Sequence, residues 1–183
     1  LLITFGCVEH FEIPAKDENL YDSYGNLGFE DGLNHWFGIS GLHSRIVIET
    51  ESYEGLNSLK LSLDVDSTFN ESANDLNCPE VSKYLDVNQG DTVQIGFRMQ
   101  FNTSSDDGKF CLFSFSKFYN ADGVFIQENI DSVNAENQGW SMKIFNYPVP
   151  QNSVRMEFGV RLTGMGGSAF ALLDDFSIAI INL

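Results

Sequence analysis

Three groups of side chains in this sequence are capable of chemistry. Carboxylates cluster at Glu49, Glu51 and Glu54, stand alone at Glu30 and recur as the pair Asp174-Asp175. Acids of this kind can serve as a general acid and base or hold a hard cation. The cysteines Cys7, Cys78 and Cys111 are too few for a disulfide scaffold, and no CxxC or Cys/His spacing points to zinc. His10, His35 and His43 form no cluster along the chain. The third group is cationic: Arg98, Arg155 and Arg161 each stand in a stretch of alternating polar and apolar residues. Such arginines either pair with acids across a sheet, Glu157 being the nearest in sequence, or meet a ligand. A glycoside hydrolase needs two carboxylates about 5–10 Å apart across a cleft. The Glu-x-Asp-x-x-Glu arrangement of sandwich-type hydrolases is absent, as are a nucleophile elbow and a zinc motif. The expectation is therefore a chain without enzymatic activity.

The elements that must position these residues have a period of two. Leu59–Val65, Val93–Phe101, Val154–Leu162 and Phe176–Ile180 alternate cleanly. Arg45–Thr50 and Phe110–Phe118 read as further strands, the second apolar on both faces and hence interior. Trp140 opens another alternating stretch. Turn signals separate the runs, among them Asn88-Gln89-Gly90-Asp91 and Asn120-Ala121-Asp122-Gly123. No ten-residue helical stripe is visible. The fold class expected is all-β, an antiparallel β-sandwich. Alternation places Gln94, Arg98 and Gln100 outward on one strand, Arg155, Glu157 and Arg161 on another, and Lys60, Ser62 and Asp64 on a third. Gly96 and Gly159 fall at outward positions too, leaving room for something to lie against the backbone.

Composition narrows the function classes. The chain has 183 residues, with 10 Lys+Arg against 26 Asp+Glu and a net charge of −16. That balance argues against general nucleic-acid binding and against docking on an anionic membrane. The length suits one domain, and 43% hydrophobic residues are enough for a core. Residues 8–24 are acidic and lack an apolar period, so 1–24 reads as a leader remnant and tether and 25–183 as the folded domain. No run approaches the roughly 18 apolar residues of a transmembrane helix. Leu1-Leu2-Ile3-Thr4-Phe5-Gly6-Cys7 resembles the end of a lipoprotein signal peptide, which would make Cys7 a lipid anchor. An apolar N-terminal strand is the other reading. Cys111 reads as a small buried apolar residue, with a Cys78–Cys111 bridge as the alternative.

A series of motifs occurs in a recognisable order. Asn26-Leu27-Gly28-Phe29-Glu30-Asp31-Gly32 precedes Trp36, and Glu54-Gly55-Leu56-Asn57-Ser58-Leu59 precedes an alternating strand. Val87-Asn88-Gln89-Gly90-Asp91 precedes another. Phe118-Tyr119-Asn120-Ala121-Asp122-Gly123 is followed by Trp140, and Ala171-Leu172-Leu173-Asp174-Asp175-Phe176-Ser177-Ile178 closes the chain. Residues 25–183 thereby resemble a carbohydrate-binding module of the galactose-binding-like jelly-roll superfamily, the type found beside xylanases and glucanases.

The resemblance implies a structural calcium held by Glu30, Glu54, the carbonyl of Asn57 and Asp174, with Asp175 as the fallback. Parity places Asp174 inward with Phe176 and Ile178, where a carboxylate needs a partner. The resemblance also implies a polysaccharide or oligosaccharide ligand and an extracytoplasmic location, either secreted or on the cell surface. Sugar recognition needs aromatic planes for pyranose C–H faces and polar groups for hydroxyls. Phe69, Tyr84, Phe113, Phe115 and Tyr119 are the aromatic candidates. Arg98, Gln100, Arg155, Glu157 and Arg161 are the polar ones. Trp36 and Trp140 match structural tryptophans and are expected in the core. A structural or adhesive cell-surface domain without a sugar ligand is the alternative.

Overall fold

A computed structural model describes residues 25–41, 43–65, 78–103, 109–133 and 138–181. The lipid-anchor candidate Cys7, the tether 1–24 and the aromatic candidate Phe69 lie outside the described residues. Ten strands follow in chain order: β1 (Phe37–Ile39), β2 (Ser44–Glu49), β3 (Ser58–Val65), β4 (Glu80–Asp86), β5 (Thr92–Thr103), β6 (Lys109–Tyr119), β7 (Phe125–Val133), β8 (Gln138–Pro148), β9 (Arg155–Met165) and β10 (Gly167–Ile181). They form two five-stranded antiparallel sheets, ordered β1-β4-β9-β6-β7 and β2-β3-β10-β5-β8. The described residues contain no helix. The expected all-β sandwich is what the chain forms. Strands β1, β4 and β7 are additions to the sequence reading.

Alternation explains the layering. Val81, Leu85, Met156, Phe158, Val160, Leu162, Leu112 and Phe118 of the first sheet are buried against Leu59, Leu61, Leu63, Val93, Ile95, Phe97 and Met99 of the second. One aromatic cluster sits at the centre of this core. Phe176 packs against Trp36 at 4.8 Å, Phe97 at 5.0 Å, Phe29 at 5.7 Å and Phe158 at 6.5 Å between ring centroids. Trp36 is in the core as expected. Its indole N–H donates to the Asn26 carbonyl at 2.8 Å, so its one polar atom is satisfied. Lys83 shares inward parity with Val81 and Leu85 and is 1% exposed. Its ammonium donates to the carbonyls of Gly25 and His35 at 3.1 and 2.9 Å and lies 5.3 Å from the Trp36 ring. These bonds offset the cost of a buried charge.

Two expectations fail in this layer. Trp140 was expected in the core. It shares outward parity with the exposed Met142 and Ile144 on β8 and is half-buried against Tyr53, 6.1 Å away. Cys111 is exposed on β6 rather than buried, because it shares the outward parity of Phe113 and Phe115. No disulfide joins it to Cys78.

Phe176 touches every member of the aromatic cluster, so its truncation should open a cavity that the rigid sheets cannot close. Phe176→Ala is expected to cost about 3–5 kcal/mol. At roughly 2–4 °C per kcal/mol for a chain of this size, thermal melting should show a fall of about 6–20 °C.

Candidate functional site

The sequence-predicted site residues fall on two opposite surfaces. Tyr84, Phe113, Phe115, Tyr119, Arg155, Glu157 and Arg161 lie on the outward face of the first sheet. Arg98 and Gln100 lie on the outward face of the second, because β5 and β9 belong to different sheets. The three arginines therefore do not share one surface. Strand parity alone cannot reveal which sheet a strand joins.

On the first sheet the residues form rows across β4, β9, β6 and β7. One row is Tyr84, Glu157, Lys117 and Glu128; the next is Ser82, Gly159, Phe115 and Ile130; a third is Glu80, Arg161, Phe113 and Ser132. Beside them Asp86, Arg155 and Tyr119 form a further row, with Arg155 opposite both of the others. Gly159 is required by close approach: a β-carbon there would overlap the Val81 carbonyl oxygen and the Phe115 ring. The space that the glycine leaves is thus filled by the chain's own aromatic. Likewise Ser177 and Met142 fill the space over Gly96.

This face is outward yet buried. Tyr84, Phe115, Tyr119, Glu157, Glu80, Ser82 and Lys117 are all 6% exposed or less. Lys117 and Arg161 lie over the Phe115 ring at 5.1 and 5.3 Å. Arg161 is ion-paired with Glu80. Tyr119 donates its hydroxyl to Glu157 Oε2 at 3.0 Å. Burial pushes the Glu157 carboxyl up, against the pull of the Lys117 ammonium, and Glu80 pushes it in the same direction as burial. The buried oxygens here without a hydrogen-bond partner include Glu80 Oε1, Ser82 Oγ and Glu157 Oε1. A small rotation would pair Ser82 with Glu157, whose charged form that hydroxyl favours. Glu80 Oε1 would still lack a donor. Buried oxygens in this state are rare because each lost hydrogen bond costs about 1–3 kcal/mol.

On the second sheet, the residues expected to hold a cation meet at one junction. The register of β10 shifts between Asp174 and Ser177, and Asp175 has a φ of 49°. This bulge reverses the alternation, so Asp174 shares the face of Arg98 while Phe176 turns into the core. The inward orientation expected for Asp174 is therefore incorrect. Asp174 is 1% exposed because the chain at Tyr53 and Glu54 lies over it. Its Oδ2 accepts the amides of Tyr53 and Glu54 at 2.9 and 3.1 Å, and its Oδ1 accepts that of Asp175 at 2.7 Å. Burial pushes the Asp174 carboxyl up, while these amides draw it down. Glu30 Oε1 accepts the amides of Leu56 and Asn57 at 2.8 and 3.2 Å. Gly55, at a φ of 72°, must be glycine for a second reason, since a β-carbon would overlap that carboxylate.

Carboxylate and carbonyl oxygens suit calcium in kind. Amides already occupy Glu30 Oε1 and Asp174 Oδ2, however, and Glu54 joins the junction through its backbone N–H with its side chain exposed. Among the described residues no three of His, Cys, Asp and Glu converge as a metal-binding group. The donors present thus fit a cation only in part, and amide–carboxylate bonds hold the junction. Arg98 stands beside it, 3.8 Å from Asp175 Oδ2 and 4.3 Å above the Tyr53 ring.

Sequence reasoning missed Glu80, Ser82 and Lys117 on the first face. The signal available was the alternation of Glu80-Val81-Ser82-Lys83-Tyr84-Leu85-Asp86 after Pro79, which Lys83 disguises by placing a charge at an inward position.

Neither a protein-family model nor a curated protein sequence matches the chain. Solved structures do. The enzymatically active domain of tailspike protein 4 from bacteriophage CBA120 matches over 87% of this chain, with a TM-score of 0.66 and 14% identity. This chain spans about a fifth of that one, 21%. The CBM22-1 xylan-binding domain of Paenibacillus barcinonensis Xyn10C matches over 85% of this chain and 92% of its own length, with a TM-score of 0.54 and 20% identity. TmCBM61, solved with β-1,4-galactotriose, matches over 85% and 95%, with a TM-score of 0.53 and 16% identity. At these identities the likeness establishes the fold, the jelly-roll sandwich of carbohydrate-binding modules.

The Asp174 junction can be tested by stability. Asp174→Ala would strand the Tyr53, Glu54 and Asp175 amides beneath a loop. The expected loss is about 3 kcal/mol or more, at about 1–3 kcal/mol for each of the three amides. Urea unfolding should record it as a lower midpoint at unchanged slope.

Proposed function

We propose that this chain is a noncatalytic module that binds a polysaccharide or oligosaccharide on the outward face of its first sheet. The observation that carries the reading is a buried carboxylate oxygen without a donor, Glu80 Oε1, beside Ser82 and Glu157 on this face. Sugar hydroxyls supply the missing donor, and the half-buried Phe113 and exposed Phe125 are the rings open to pyranose C–H faces. The half-buried Phe113, Arg155 and Arg161 and the exposed Phe125 and Ile130 border this network, so a ligand reaches it from that side. The similarity to modules whose names state xylan or galactotriose binding supports the same class of ligand.

Affinity electrophoresis through gels containing xylan, mixed-linkage glucan or galactan tests this. Retardation by at least one glycan is expected, with at least a tenfold loss of affinity in Glu157→Gln. Mobility unchanged by every glycan would favour a structural or adhesive domain instead. Release of reducing ends would favour an enzyme.

Glu157→Gln has a second, pH-dependent consequence. The folded chain holds the Glu157 proton more tightly than the unfolded chain, because burial raises this carboxyl. Stability contributed by this group is therefore present in acid and is lost as pH rises from the ordinary glutamate range through the raised folded value. At pH 8 the variant should melt higher than the parent. The difference should vanish in acid below the ordinary glutamate range. A gain that does not depend on pH would show that Glu157 is not held up by burial.

A structural calcium at the Glu30–Asp174 junction, with Glu54, Asn57 and Asp175 around it, is a separate part of the proposal. It is supported by two carboxylates from distant parts of the chain meeting on one loop. Both Glu30 bonds fall on Oε1, which leaves Oε2 for a cation. Melting in excess EDTA and then in calcium should differ by several degrees if the ion is bound; identical curves would remove calcium from the reading. An extracytoplasmic location, with lipid on Cys7, belongs to the same proposal. Membrane fractionation of cells fed radiolabelled palmitate tests it, and a Cys7→Ala chain should carry no label.

A further inference from the structure

The opposite face carries a second concavity that the proposed function does not use. A groove of about 580 Å³ crosses the outward surface of the second sheet, lined by His43, Arg45, Lys60, Ser62, Asp64 and Phe170 and closed along one side by Asn102, Thr103 and Ser168. This volume is within the range of small-ligand sites, about 300–1,000 Å³. The groove is built on strands rather than loops. Arg45 of β2, Ser62 of β3, Phe170 of β10 and Asn102 of β5 stand opposite one another in a single row. Lys60 lies one step along β3 on the same face, and Asp64 and Ser168 pair on the other side.

The charge of this lining departs from that of the chain. The sequence has 26 acids against 10 Lys and Arg, whereas the groove holds Arg45 and Lys60 against one acid, Asp64. Lys60 is held in place by Glu49 at 3.1 Å, with its ammonium 4.7 Å from the centre of the Phe170 ring. Arg45 is exposed and forms no ion pair among the described residues. A guanidinium in that state is a bidentate donor without an acceptor, and carboxylate and sulfate match its geometry. An aromatic ring, one cation held in place, a second exposed cation and a border of hydroxyls and an amide together suit a pyranose that bears a negative charge.

We infer that this groove is a second saccharide site, selective for sugar units bearing a carboxylate or sulfate, with Arg45 and Lys60 binding the anion and Phe170 the ring. It goes beyond the proposed function in surface, in residues and in ligand charge. It does not depend on the first face binding anything.

Isothermal titration with three soluble glycans of similar length tests it: an oligogalacturonate, a sulfated galactan oligosaccharide and an uncharged galactan oligosaccharide. At least one anionic glycan should bind. Arg45→Gln and Phe170→Ser should each weaken it at least tenfold, and affinity should fall as sodium chloride is raised from 50 to 300 mM. Arg45 is exposed, so Arg45→Gln should melt within about 1–2 °C of the parent, which separates lost binding from lost folding. Binding of the uronate alone or the sulfate alone identifies which anion the site takes. Glu157→Gln, on the other sheet, should leave anionic binding unchanged. No binding of either anionic glycan overturns the inference. So does anionic binding that Arg45→Gln leaves intact, since the anion would then sit elsewhere. Failure of neutral glycans to bind the first face, with anionic binding retained and sensitive to Arg45, would refute the proposed function and leave this inference standing.

Discussion

The architecture turns on one reversal in the longest strand. β10 runs from Gly167 to Ile181 through the middle of the second sheet, paired with β3 along its first half and with β5 along nearly all of it. A strand of strict alternation would place Leu173 and Phe176 on opposite faces. The left-handed residue Asp175 cancels that, so both side chains enter the core and Phe176 can join Trp36, Phe97, Phe29 and Phe158. Asp tolerates this backbone region better than most residues because its short polar side chain bonds locally. The reversal leaves Asp174 outward, where it would be an unsupported acid under a loop. The Tyr53 and Glu54 amides remove that difficulty, and Glu30 repeats the device two residues along. A backbone irregularity, a core aromatic and a loop anchor are therefore one linked feature. Loss of the anchor should also loosen the bulge that turns Phe176 inward.

Much of this was legible in the sequence. Period-two alternation gave the fold class and the outward positions on β3, β5 and β9, because a side chain's face depends only on parity within a regular strand. The motif order brought Glu30, Glu54, Asn57, Asp174 and Asp175 to one junction, where the structure also places them. What parity could not supply was long-range or irregular. The partner sheet of each strand depends on pairing across the chain, so Arg98 seemed to share a surface with Arg155 and Arg161. The bulge at Asp175 inverted the orientation of Asp174. Trp140 was misassigned because an outward aromatic that leans on Tyr53 has the same local pattern as a buried one. Phe170 and Arg45 drew no attention because each stands in an ordinary strand pattern. Only the row across four strands makes them neighbours.

The two outward faces put their charges to different uses. On the first, Arg161 is paired with Glu80 and Lys117 stands across from Glu157, so these two cations are engaged within a buried network that still holds a carboxylate oxygen without a donor. On the second, Lys60 is fixed by Glu49 but Arg45 is left over, so the remaining deficit is an anion. A surface short of donors suits hydroxyls, and a surface with a spare guanidinium suits carboxylate or sulfate. One sandwich could therefore present two chemically distinct sides to the same heterogeneous glycan. Two modest sites on one rigid body would raise effective affinity if a chain could reach both.

The net charge of −16 bears on this in a way that its size conceals. Nine of the ten basic residues lie on the ten strands, and so do nine of the acids. The strands are therefore neutral in sum, and the whole excess of negative charge belongs to residues outside them. Within each sheet the signs also balance, five against five in the first and four against four in the second. At physiological ionic strength, charges farther apart than about 8 Å are largely screened from one another. An anionic sugar resting on the second sheet would meet Arg45 and Lys60 at contact distance, with Asp64 the one acid in the lining. The acidic total is compatible with an anion site on a sheet face, because the charges of the strands balance. The groove beside Phe170 occupies that position.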